Sequence, residues 1–70
     1  MRKEIKVEIG NTYKRRDGLE AFVYFQSPIT KRFYCVIVGQ QSAFFDVSEK
    51  GFYLFEDQES QNDLVEVIQD

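Results

Sequence analysis

The residues able to do chemistry fall into three groups: a lone thiol at Cys35, an acidic run with Glu56, Asp57, Glu59 and Asp63, and two basic–aromatic runs, Tyr13-Lys14-Arg15-Arg16 and Lys31-Arg32-Phe33-Tyr34. The chain contains no His, which excludes a Ser-His-Asp arrangement, and Ser27, Ser42, Ser48 and Ser60 have no activating neighbour in sequence. Cys35 sits in Phe33-Tyr34-Cys35-Val36-Ile37-Val38, where a thiol behaves as a small apolar side chain and its pKa is raised rather than lowered. A zinc site needs several Cys and His ligands, and the acidic run lacks the alternating ligands and central Gly of a calcium loop. The residues therefore read as those of a non-enzymatic protein without a metal or other cofactor.

Binding chemistry is better supplied. Glu56, Asp57, Glu59 and Asp63 form an acidic surface able to meet a basic partner. Seven Phe and four Tyr exceed what the interior of so short a chain readily hides, so an aromatic surface for a protein partner, or for a second copy in a homodimer, is expected. The alternative is a small nucleic-acid-binding barrel using Tyr13, Lys14, Arg16 and Arg32 as a basic–aromatic face for a single strand. A sequence pI near 4.9 weighs against it. Residues 1–32 carry eight Lys/Arg against four Asp/Glu, and residues 33–70 one against eight, so halves of +4 and −7 can also neutralise one another.

The elements that must position these groups show a period of two almost throughout. Ile5, Val7 and Ile9 alternate with Glu4, Lys6 and Glu8, the signature of a half-buried strand. Thr12 to Arg16 forms a second strand, and Asp17-Gly18 predicts a tight primed hairpin turn into a strand from Leu19 to Gln26. Alternation assigns Ala21, Val23 and Phe25 to one face of that strand and Phe22 and Tyr24 to the other. Ser27-Pro28-Ile29-Thr30 is a connection. Arg32 to Val38 reads as a central strand, apolar on both faces and expected to be buried on both sides, followed by strands at Ser42–Val47 and Phe52–Phe55. For Leu64 to Ile68 the β-branched residues favour a strand over a short helix.

Five or six short antiparallel strands, mostly joined by hairpins, predict one all-β domain over residues 1–70, a small barrel of SH3-like or related type, because closure removes exposed edges. No apolar run approaches the ~18 residues that span a bilayer, and the N-terminal segment lacks the apolar stretch of a signal peptide. With a single cysteine, the expected address is the cytoplasm, away from membranes.

Gly10, Tyr13 and Arg16-Asp17-Gly18, with Gly51-Phe52-Tyr53 and Asp63-Leu64-Val65, form a G-x-x-Y-x-x-R-D-G … D-L-V pattern that resembles small, uncharacterised phage and prophage β-domain proteins. The likeness spans about residues 10–66, departing at Leu19-Glu20 and in the dense aromatic content. It implies a compact β domain encoded by a mobile element, an accessory protein that binds a host or phage protein in the host bacterial cytoplasm. No catalytic or binding residue is carried over with it.

Overall fold

The two-residue periodicity is realised as five strands: β1 (Thr12–Arg15), β2 (Glu20–Gln26), β3 (Phe33–Ile37), β4 (Phe44–Val47) and β5 (Leu64–Ile68). The computed structural model describes residues 5–40, 42–54 and 60–68. The strands form one antiparallel sheet in the order β4-β3-β2-β1-β5. The first four make a meander, and the crossover after β4 brings β5 to the free side of β1. The all-β expectation holds, and the ambiguous segment at Leu64–Ile68 is a strand.

The expected barrel is not closed. β4 and β5 remain the two edges of the sheet and do not pair with each other; backbone hydrogen bonds of Ser48–Phe52 connect the two sides. Leu64 N donates to Gly51 O at 2.8 Å, Ser48 N donates to Phe52 O at 2.9 Å, and Phe52 is buried. Residues 52–54, expected to be in a strand, are not in one, and the N–H groups of Phe52 and Tyr53 go to Ser48 Oγ and Asp63 Oδ1 instead of to a ladder; Phe55 lies outside the described residues. Ile5–Glu8 likewise packs without joining the sheet, through Ile5 N to Lys50 O and Val7 N to Glu49 O, both 3.3 Å. The chain turns at Ile9-Gly10, which leaves Ile9 exposed instead of aligned with Val7.

The inner face carries the core. Tyr13, Ala21, Val23, Phe33, Cys35, Ile37, Val47 and Leu64 pack there together with Val7. Burying an aliphatic or aromatic side chain of this size contributes about 1.5–3 kcal/mol. β3 is therefore covered on one side only, with Phe33, Cys35 and Ile37 buried and Tyr34 and Val36 half-buried on the other.

The β1–β2 hairpin differs in detail from the primed turn predicted. Arg15 N donates to Leu19 O at 2.7 Å and Gly18 N to Arg15 O at 3.0 Å, enclosing a three-residue loop in which Gly18 alone has positive φ, +93°. Asp17 keeps an ordinary φ because its Oδ1 accepts from Leu19 N at 3.1 Å, a local side-chain turn that Asp favours. Arg15 also donates to both carboxylate oxygens of Asp17, and this holds that carboxyl below its usual pKa.

One buried carboxylate ties the irregular parts together. Asp63 is fully enclosed, its Oδ1 accepting from Tyr53 N at 2.8 Å and its Oδ2 from Ser60 N at 3.1 Å and Arg16 Nη2 at 3.3 Å. Its backbone completes the junction, with Arg16 N donating to Asp63 O at 2.8 Å.

Two stability predictions follow from these junctions. Asp63→Ala should lower unfolding free energy by about 3 kcal/mol or more, because it strands buried donors and a partly buried guanidinium. Asp63→Asn, which retains one acceptor oxygen, should cost less; urea midpoints unchanged in both variants would dismiss the junction. At Gly51 (φ +88°) an added Cβ would stand 2.9 Å from Ile5 Cγ1 and 3.1 Å from Leu64 O, whereas nothing lies within 4 Å of one at Gly18. Gly18→Ala should therefore cost only the left-handed strain of ~1–2 kcal/mol, and Gly51→Ala measurably more. Equal losses in thermal melts would contradict that packing.

Candidate functional site

The outer face of β2, β3 and β4 concentrates aromatic side chains that the core does not take. In register across the sheet, Phe22 stands opposite Val36 and Val36 opposite Phe44, while Phe25 stands opposite Tyr34 and Tyr34 opposite Asp46. A bulge between Val23 and Phe25 decides the composition of this face. Strict alternation would bury Phe25 with Val23, but the extra residue shifts the phase, so Tyr24 and Phe25 both emerge outside. The result is a set of five rings: Phe22, Tyr24, Phe25, Tyr34 and Phe44.

Four of these rings touch in two pairs. Phe25 and Tyr34 have centroids 5.6 Å apart in a tilted arrangement, and Tyr24 meets Phe44 edge-on at 6.1 Å. Phe44 is 61% exposed, and Phe22, Tyr24 and Phe25 are between 38% and 45% exposed. At ~200 Å² per ring, these four alone leave roughly 400 Å² of aromatic surface in water. Contiguous apolar patches of about 300–600 Å² are often functional. A shallow depression of about 290 Å³ opens in this face, lined by Tyr24, Tyr34, Phe44, Phe45 and Asp46.

The basic–aromatic face expected from sequence is dispersed. Tyr13 is fully buried, its hydroxyl accepting from Glu8 N at 2.8 Å and Asn11 Nδ2 at 3.3 Å and donating to Lys6 O at 3.0 Å, so it staples the N-terminal segment and offers no stacking surface. Arg16 turns to Ser60 O at 3.2 Å and to Asp63. Arg32 spans from β3 to the far side of β4, donating from Nε to Asp46 Oδ2 at 2.6 Å and from Nη2 to Asp46 O at 3.0 Å and Tyr53 O at 2.9 Å. Lys14 is exposed but stands in register between Glu20 and Glu66. Arg15 lies on the opposite side of the strand, its guanidinium carbon 5.1 Å from the centre of the Phe45 ring.

The expected acidic surface is altered too. Asp63 is an internal acceptor with no exposure, because its lone pairs are consumed by Tyr53, Ser60 and Arg16, and it cannot serve as a surface contact. Glu56, Asp57 and Glu59 lie outside the described residues. Among the described residues, no group of three or more acidic or thiol side chains is placed to hold a metal ion, and no helix is long and apolar enough to cross a membrane.

The aromatic face was anticipated as a surplus but not located. Its signal in the sequence is Phe22 with Tyr24-Phe25, and the bulge that joins them leaves no mark of its own in residue type. Comparison with family models, with curated proteins and with solved structures yields no match to this chain.

Cys35 is fully buried on the inner face, and burial, aided by the negative charge of Asp46, pushes its thiol up to about 12. The folded protein should consequently resist a thiol reagent at pH 8–9 and react only after denaturation. Because the unfolded thiol ionises near 9 and the folded one near 12, its contribution to stability is complete below pH 9 and falls as pH rises from there toward 12. Rapid labelling of folded protein at pH 8 would contradict this placement.

Proposed function

We propose that this chain is a non-enzymatic, phage- or prophage-type accessory protein that binds a host or phage protein through the aromatic face of β2, β3 and β4. The observation that carries the reading is the cluster of Phe22, Tyr24, Phe25, Tyr34 and Phe44 on one side of a sheet whose other side already supplies a complete core. Exposed rings gathered in one place cost solubility, and a partner that covers them recovers that free energy. The phage-type element of the proposal rests on the G-x-x-Y-x-x-R-D-G pattern, and with it comes action in a bacterial cytoplasm, where the buried thiol of Cys35 stays reduced. A kinship with small SH3-like barrels belongs to the same proposal, supported by the strand order and by the bridge across the open side.

A protein partner suits this face better than a nucleic acid. Stacking on a single strand needs cations beside the rings, and here Arg32 is held by Asp46 and the Tyr53 carbonyl while Lys14 stands between two glutamates. Homodimerisation is the weaker outcome, since the ring patch is about half of the ~800 Å² that each partner contributes to a stable interface.

The deciding experiment is paired affinity capture from bacterial lysate with the wild type and a Phe22→Ser/Phe44→Ser variant, both checked for folding by circular dichroism. The expected result is a defined protein recovered by the wild type and reduced at least about tenfold by the double substitution. Equal recovery by both, or recovery abolished by nuclease treatment, would overturn the proposed face.

A further inference from the structure

We infer that the depression between Tyr24, Tyr34 and Phe44 beside Asp46 receives an arginine side chain from the partner, a deepening that rests on the aromatic-face reading above. Its walls combine two features that attract a guanidinium. One is aromatic: Tyr24, Tyr34 and Phe44 line it, and a planar guanidinium packs against aromatic rings while remaining partly hydrated. The carboxylate supplies direction: Asp46 engages Arg32 through Oδ2, and its Oδ1 accepts nothing from other described residues. A volume of about 290 Å³ accommodates one long side chain and little more.

Charge agrees with this occupant. The chain carries a formal net charge of −3, and the outer face holds Glu20 and Glu66 on either side of Lys14. An arginine-bearing segment is drawn to such a surface and an acidic one is repelled. The molecule also uses both modes internally, with Arg15 over the Phe45 ring at 5.1 Å and Arg32 on the Asp46 carboxylate at 2.6 Å. Phe45 and Asp46, the acceptors in those two contacts, both contribute to the lining of the depression.

The test is an NMR titration of the intact protein with the peptide acetyl-Gly-Arg-Gly-amide at low salt, against the same peptide carrying citrulline, which has nearly the shape of arginine but no charge. Shifts confined to Tyr24, Tyr34, Phe44 and Asp46 are expected with arginine, with citrulline binding at least about tenfold weaker. Tyr24→Leu and Phe44→Leu alter exposed rings without entering the core and should each weaken binding severalfold. Asp46→Asn serves as a further probe only if its melt shows that the Arg32 strut survives. Equal shifts from the citrulline peptide, arginine shifts elsewhere on the molecule, or unchanged titration of both leucine variants would overturn the inference. If the arginine peptide fails while partner capture still depends on Phe22 and Phe44, the aromatic-face reading stands and the arginine pocket falls.

Discussion

The carboxylate of Asp63 is the constraint on which the arrangement of the described chain depends. A five-stranded sheet with one apolar face has two edges to manage, and this protein does not pair them with each other. Instead a single enclosed carboxylate accepts from the turn before β5, from the backbone after β4 and from the side chain of Arg16 at the β1–β2 hairpin. A carboxylate taken from water is tolerable only with its lone pairs satisfied. The donors from distant parts of the chain must therefore assemble together, which couples the open side of the sheet to the hairpin.

Among the described residues the three arginines are all engaged within the molecule. Arg16 serves the Asp63 junction, Arg15 holds Asp17 and covers Phe45, and Arg32 braces the outer side of β4 through Asp46 and the Tyr53 carbonyl. The Asp46 carbonyl capped by Arg32 is one an incoming strand would otherwise use, so the guanidinium also guards an edge. Two of these pairs, Arg16 with Asp63 and Arg32 with Asp46, join the basic and the acidic half of the sequence, whereas Arg15 and Asp17 both belong to the first. The aromatic rings of the outer face have no such internal use beyond contacts among themselves, and the proposed binding surface rests on that difference.

Much of the fold was legible from residue types. Periodicity and β-branched residues placed the five strands, though they also expected strands at Ile5–Ile9 and Phe52–Phe55; Ser27-Pro28 marked a turn, and the run around Cys35 announced a buried thiol. The site was legible only in part. A surplus of aromatics could be counted, but whether Phe25 faced inward or outward turned on one bulge, and bulges follow from strand pairing rather than from composition. Tyr13 misled for a related reason: a Tyr next to three cations looks like a stacking platform, whereas its hydroxyl found Glu8, Asn11 and Lys6 in a segment that folds back over it.

By itself the sequence determined what local periodicity and side-chain chemistry control: an all-β chain, a glycine at the hairpin where a left-handed φ is required, and more rings than one side of a sheet can bury. Tertiary structure alone decided which charges pair and which rings stay outside, because those outcomes depend on contacts between residues tens of positions apart. Arg16 meets Asp63, Arg32 meets Tyr53, and Arg15 meets Phe45 only in the assembled fold. Local preference has no access to such distances, and so Asp63, read as one of four surface acids, is fully enclosed.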